Sequence, residues 1–266
     1  MTFAYTSPTP KLRVSVEDAV ATIAIDNPAK RNAFDLEMWR SLPPIMTALE
    51  AAAEVRGIIL RGAGDGAFAS GADISEFETH RADAEGGRRY EAENEAAFWA
   101  VAHCAKPVIA MIRSFCLGGG FGLAVACDLR VVSDNAIFGI PAARLGVGYP
   151  PGAMRMITAA IGAPAAKDLF YTARRIGAAE AERLGVAQRL VPDEELEATT
   201  TALARDIAQN APLTIQAAKA AIDAASGLAK PGRDPAALAD LCFDSADAVE
   251  GRVAFLEKRP PVFIGR

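Results

Sequence analysis

The chain has 266 residues, 51% of them apolar and 23% charged, which is enough apolar material for one large core or two small ones. Its 28 Lys and Arg against 33 Asp and Glu leave a formal charge of -5. No general basic field therefore exists to hold nucleic acid or an anionic membrane, and an anionic ligand has to be met by a local cluster. Two histidines, His80 and His103, and four cysteines, Cys104, Cys116, Cys127 and Cys242, show no metal-ligand spacing, so neither structural zinc nor a resident metal is expected.

In chain order, strands are predicted over 12–16 and 19–26, then a turn at Asn27 and Pro28, then a helical stretch over 35–54 that Pro43 and Pro44 should break near Leu42. A buried strand over 56–61 ends in a glycine-rich turn at 62–66. The charged segment after Ile74, with Gly86 and Gly87, reads as mobile before a helix over about 90–104. The apolar run 107–112 suits a strand covered on both faces, and Gly118, Gly119 and Gly120 open a short helix that ends at Cys127. Strands over 129–133 and 136–139 follow. From Gly152 onward the pattern is helical: 153–161, 164–173, 178–184, 193–209, 212–225 and 235–257.

Strand-rich first and helix-rich last implies an α/β or α+β core with a helical appendix, divided near 210–212 into 1–210 and 211–266. The longest apolar region, 107–127, is interrupted by Arg113, Ser114 and the glycines, so it reads as a buried element rather than a membrane span. The N-terminal residues lack the positive and apolar regions of a secretion signal, and the cysteines lie in apolar stretches. The expectation is a reduced, cytoplasmic protein.

Residues 62–67 fit G-x-G-x-x-A after a strand, but residues 68–71 do not open a helix, so a dinucleotide site is not expected. No phosphate-binding loop with its lysine and no G-x-S-x-G nucleophile is present. Cys116, with no histidine near it in sequence, reads as a small buried thiol.

Two backbone features stand out: a small-residue turn at Ala67, Phe68, Ala69, Ser70, Gly71, Ala72, Asp73 and Ile74, and the glycines of 117–124 running into a helix. Small residues let a ligand approach the main chain, and a helix start leaves amide donors unpaired beside the positive end of its dipole. Two such amides from different segments make an oxyanion hole; tight packing of chain against chain is the alternative for either alone.

Asn27-Pro28 with Asn32-Ala33, Phe68 with Gly71-Ala72-Asp73-Ile74, the glycine triplet with Cys127-Asp128, Phe138-Gly139 with Pro141, and the C-terminal run from Ala254 to Arg259 resemble, in order, the enoyl-CoA hydratase/isomerase (crotonase) superfamily. The resemblance runs from about Leu12 to the end. It implies a spiral of ββα turns with a C-terminal helical region that builds homotrimers or dimers of trimers. It also implies a site for acyl-CoA thioesters, as in fatty acid metabolism, with coenzyme A as part of the substrate and no permanently bound cofactor.

By the same resemblance the amides of Ala72 and Gly119 hold the thioester oxygen. Ala33, Ala69, Gly71, Asp73, Ile74, Leu117, Gly118, Pro141 and Ala142 line the substrate, and Lys30, Arg31, Phe255 and Lys258 meet coenzyme A, the last two often from a neighbouring subunit.

The chain departs from the hydratase pattern at two positions. Where hydratases of the family carry two glutamates, this chain has Gly122 and Ala142, neither of which titrates. Each missing group removes an acid-base contribution of about 100- to 10,000-fold. Tyr149 resembles the tyrosine of methylmalonyl-CoA decarboxylases, which need an oxyanion hole and a proton donor but no base. Against that, the decarboxylase pattern has histidine at Ala72 and glutamate at Gly122. The open alternatives are an enolate-stabilising enzyme with an unassigned proton-transfer group, a decarboxylase of a malonyl-type CoA using Tyr149, and a non-catalytic acyl-CoA binder. Arg144, Glu76, Glu78 and His80 are further candidates.

Overall fold

The structure, a computed structural model, describes residues 5–266; residues 1–4, on which part of the reading of the N-terminus rests, lie outside them. The first half holds strands β1 (Leu12–Glu17), β2 (Val20–Ile25), β3 (Gly57–Gly62), β4 (Val108–Ile112), β5 (Phe115–Leu117), β6 (Leu129–Ser133) and β7 (Ile137–Gly139). Between them lie helices α1 (Leu36–Ala51), α2 (Phe77–His80), α3 (Ala84–Ala102) and α4 (Gly119–Ala126). The second half adds α5 (Ala142–Leu145), α6 (Pro151–Thr172), β8 (Arg175–Gly177), α7 (Ala178–Arg183), β9 (Arg189–Val191), α8 (Leu196–Gln209), α9 (Pro212–Ala225), α10 (Pro235–Phe243) and α11 (Ala246–Glu257).

A six-stranded sheet runs β1-β2-β3-β4-β6-β9, antiparallel only at β1 and β2. After β2, β3, β4 and β6 the chain turns into a second row of short extended pieces: Phe34 bridges Ala72, Ala69 bridges Cys116, and β5 pairs with β7, which pairs with β8. This is the expected spiral of ββα turns, and it stacks the 67–74 turn directly beside the start of α4.

The large sheet is buried on both faces, as its continuous apolar strands require. Ile23, Ile58, Leu60 and Ala110 point into the main core with α1, α3, α4 and α6. Val20, Ile59, Ile109, Met111 and Val131 point the other way, onto Leu196, Leu203 and Ala204 of α8.

Several local expectations are corrected. Pro43 and Pro44 lie inside α1 and do not break it. Each removes one amide and crowds the preceding turn, yet Met38, Trp39, Leu42, Ile45, Met46 and Leu49 form one buried face whose packing outweighs that cost. Asp35 caps the helix start by accepting from Met38 N, and Lys106 Nζ donates to the Leu49 and Ala52 carbonyls at its end.

The segment read as mobile is helical: Asp83 accepts from Gly86 N and starts α3 six residues before Tyr90, so both glycines fall in its first turn. The expected helix over 235–257 is two, because Ser245 caps α11 by accepting from Ala248 N. The strands β5, β8 and β9, each three residues long, were too short to leave an apolar pattern in the sequence.

Candidate active site

The cleft lies where the two stacked segments meet. The 67–74 turn is pinned from both sides: Phe34 N donates to Gly71 O at 2.8 Å, Asp73 N to Phe34 O at 2.8 Å, and Leu117 N to Ala69 O at 3.0 Å. Gly71 has φ of 104° and Gly118 of 51°, conformations that side chains rarely adopt, and a methyl on Gly71 would stand 3.0 Å from Leu117 O. These two glycines let the segments approach.

The result is that Ala72 N and Gly119 N converge. A methyl on Gly119 would lie 3.6 Å from Ala72 N, and among the described residues neither amide has a protein acceptor. Gly119 also opens α4, so the positive end of that dipole faces the same point. Trp39 backs Gly119: its Cζ2 is 3.0 Å from where that methyl would be.

Of the residues singled out in the sequence, the structure brings Gly71, Ala72, Ile74, Gly118, Gly119, Pro141, Ala142 and Tyr149 together around the cleft. Ala33 and Ala69 are buried behind it, Ala69 through its carbonyl bond to Leu117 N, and Leu117 ends β5 beside Gly71. Asp73 does not face the substrate space: its carboxylate accepts from Ser75 N at 3.0 Å, Ser75 Oγ at 2.7 Å and Lys30 Nζ. Burial alone would raise its pKa, but Lys30 and Ser75 outweigh burial and hold it below the ordinary carboxylate value. Lys30 is thus committed to the turn, donating to Ser75 Oγ at 2.8 Å as well.

Arg31 is exposed, with its guanidinium 5.4 Å from the centre of the Phe115 ring; Arg175, which sequence reasoning missed, stands 5.9 Å from the same ring. Phe255 (84% exposed) and Lys258 sit on α11 and at its end and do not line the cleft of their own chain. Of the further candidates, Glu76 accepts from Leu36 N at 2.8 Å and serves the start of α1, while Glu78, His80 and Arg144 are not among the lining residues.

Tyr149 does reach the cleft. Its ring packs edge-on against Phe170 at 5.0 Å, and its hydroxyl is 4.0 Å from where a methyl on Gly118 would stand. Burial, and then the Glu91 charge, push the phenol well above its ordinary value, so the group is a neutral donor. Cys116 is an inert buried thiol, its pKa raised by burial.

Three polar residues that sequence reasoning passed over also line the cleft: Arg81, Glu91 and Asn94. Arg81 Nη2 pairs with Glu91 Oε1 at 2.8 Å, and its guanidinium lies 4.1 Å from both the Phe77 and Tyr90 rings. Glu91, Asn94 and Phe98 are spaced i, i+3 and i+7 on α3, which puts them on one face. That spacing was the available signal and falls inside the helix expected over about 90–104, but spacing alone does not show which face of a helix borders a cleft.

Gly122 is filled from the same face: a methyl on it would meet Phe98 Cζ at 2.6 Å. Ala142 is 6% exposed and brings no ionisable group.

The family model for enoyl-CoA hydratase/isomerase matches residues 15–266. A short-chain-enoyl-CoA hydratase of Clostridium acetobutylicum is 34% identical over 249 residues, covering 91% of this chain and 93% of that one. A putative enoyl-CoA hydratase of Thermus thermophilus is 35% identical, covering 92% and 97%. Among solved structures, an enoyl-CoA hydratase/carnithine racemase from Magnetospirillum magneticum superposes with a TM-score of 0.91 at 35% identity, covering 98% of this chain and 97% of that one. Fold, paired amides and sequence agree: the chain belongs to the enoyl-CoA hydratase/isomerase family, within the crotonase superfamily.

Proposed function

We propose that this enzyme binds an acyl-CoA thioester and stabilises its enolate between the amides of Ala72 and Gly119. The observation that carries this reading is the convergence of two acceptor-free amides, one at a helix start, in a mostly apolar cleft. A thioester lowers the cost of a carbanion at its α-carbon, and charge then develops on the oxygen that the amides face. Loss of one such donor costs about 3 kcal/mol of barrier, or roughly a hundredfold or more in rate.

Coenzyme A enters as part of the substrate, with no separate cofactor. Its phosphates need cations, and since Lys30 is paired with Asp73, Arg31 and Arg175 beside Phe115 are the rim we assign to them. We also read the helices from residue 211 on as the surface of a homotrimer or dimer of trimers, supported by the exposure of Phe243, Phe255, Leu256 and Val262. In that assembly Phe255 and Lys258 would serve a neighbour's site. Among the described residues, no helix is long and apolar enough to cross a membrane.

Calorimetric titration with butyryl-CoA tests the reading. Saturable binding at one site per chain is expected, and no saturable affinity for any CoA thioester would remove it. Tyr149 favours a second reading, decarboxylation of a malonyl-type CoA: its hydroxyl enters the cleft and donates to no protein group among the described residues. Release of carbon dioxide at an unchanged rate by Tyr149→Phe would end that second reading.

A further inference from the structure

The cleft lacks titratable side chains at Gly122 and Ala142, yet it is not without a carboxylate. Glu91 lines it from α3, its side chain 22% exposed and its Oε1 paired to Arg81, whose side chain is 11% exposed. Two neighbouring polar atoms are buried with no partner among the described residues: Asn94 Oδ1, on a residue 5% exposed, and Arg81 Nε. Orphaned buried polar atoms are costly and call for an explanation. Here one is an acceptor and one a donor, on either side of a carboxylate. An O–H group entering the cleft suits the set: Asn94 Oδ1 and Glu91 can each take a hydrogen, and Arg81 can donate to the oxygen.

We propose that Glu91 is the proton-transferring residue of this cleft, with Asn94 and Arg81 as the positioning residues that hold the water or substrate hydroxyl whose proton it exchanges. This rests on the acyl-CoA reading above and supplies the group that reading leaves unassigned. In hydration, the Glu91 carboxylate takes a proton from water as the water oxygen bonds to the β-carbon. The C=C electron pair moves to the thioester oxygen, opposite the amides of Ala72 and Gly119. The enolate then collapses, and its α-carbon takes the proton back from the Glu91 carboxylic acid. One water is added, and no oxidant, reductant or other reagent is consumed.

The charges around Glu91 suit that duty. Arg81 faces it from the end of α2, Asn94 and Glu95 lie along α3, and Tyr149 stands across the cleft. Burial raises the Glu91 pKa, with Arg81 and Asn94 opposing and Glu95 adding to the rise, so the group lies above the ordinary carboxylate value. A raised carboxyl pKa makes the ionised form a stronger base and brings the group closer to the pH at which it can serve in turn as base and as acid. Phe98, two turns on from Glu91, fills the space at Gly122, so the same helix that brings Glu91 also excludes a carboxylate from the family's usual position.

The test uses the full chain with butyryl-CoA in D2O, following α-hydrogen exchange, and crotonyl-CoA, following hydration. In Glu91→Gln, both rates are expected to fall by about 100- to 10,000-fold, with butyryl-CoA affinity and thermal unfolding close to wild type. Glu91→Asp should recover part of the loss. Arg81→Gln should move the acidic limb of the wild-type pH profile upward, which a merely structural ion pair would not do.

Exchange by Glu91→Gln within threefold of wild type overturns the proposal. So does a loss matched by equal loss of binding, or a pH profile that Arg81→Gln leaves in place. If wild type binds butyryl-CoA but shows neither exchange nor hydration, Glu91 fails while the acyl-CoA reading stands. If wild type binds no thioester, the acyl-CoA reading itself fails.

Discussion

Phe98 stands where a side chain at Gly122 would have to go, its Cζ 2.6 Å from the position of a Cβ there. The two positions are therefore coupled: glycine at 122 is what admits the ring, and the ring packs edge-on against Trp39 at 5.6 Å, which in turn backs Gly119. Placing a glutamate at 122 would strain the wall behind the amides of Ala72 and Gly119 rather than simply add an acid.

Gly122→Glu alone is thus expected to destabilise the fold by about 2 kcal/mol or more, since overpacking a closed core costs about 1–3 kcal/mol and a buried carboxylate adds to it. Phe98→Ala alone should cost about 3–5 kcal/mol through the cavity it leaves. The double variant should be more stable than the sum of the two predicts, because the glutamate stem enters space the ring has vacated. Urea denaturation of the four proteins measures this, and strict additivity would show that the ring and the glycine are independent.

Gly119→Ala probes the oxyanion geometry without touching a charge. The new methyl would sit 3.0 Å from Trp39 Cζ2 and 3.6 Å from Ala72 N, so the Trp39 ring or the Gly119 main chain must give by a few tenths of an ångström, and a shift of that main chain moves one amide of the pair. The expected outcome is a fall of about 100-fold in kcat, as for loss of one oxyanion donor, with KM little changed. Steady-state kinetics with a CoA thioester would check it, and a change confined to KM would point to substrate binding instead.

The sequence disclosed the parts of this site that depend on main-chain geometry. Gly71, Ala72, Gly118 and Gly119 were legible because close approach and positive φ leave a glycine signature at fixed spacing. Glu91 and Asn94 were not: both fall inside the helix expected over about 90–104, but helical spacing does not show that their face borders Gly71 and Ala72, which only the packing of α3 brings about. Lys30 shows a related limit: the sequence offers it as a cation but does not show Asp73, 43 residues away, to which it is paired. The persistence of α1 through Pro43 and Pro44 is the same lesson in the fold, where burial outweighs a local rule.

The Lys30 and Asp73 pair gives the turn a defined acid response. The Asp73 pKa is depressed in the folded chain, so its contribution is fully present above the unfolded carboxylate value of about 3.9 and is lost as pH falls through the lower folded value. Asp73→Asn should therefore cost about 1–3 kcal/mol at pH 7, with a constant gap to wild type down to about pH 5 that closes below about pH 4. Lys30→Met should let the Asp73 pKa rise and start the loss at higher pH. Denaturant titrations at a series of pH values would show both, and a gap still open at pH 2 would contradict the assignment.

The coenzyme A rim is tested by separating its cations from the chemistry. Arg31 and Arg175 flank the Phe115 ring at 5.4 and 5.9 Å, whereas Lys258 lies at the end of α11, away from the cleft of its own chain. If the two arginines meet phosphate, Arg31→Ala and Arg175→Ala should each raise KM for a CoA thioester about tenfold, as loss of a charge-assisted hydrogen bond does, and leave kcat unchanged. A substrate carrying the pantetheine arm without the nucleotide should not notice either change. Added salt should weaken wild-type binding more than binding by the variants, because exposed charges are screened. Lys258→Ala is expected to give the same KM effect only at concentrations where the chain is assembled, since the lysine would reach a neighbour's substrate. An equal effect of Lys258→Ala in isolated chains and assembled ones would place the lysine at its own site and remove the shared-site arrangement.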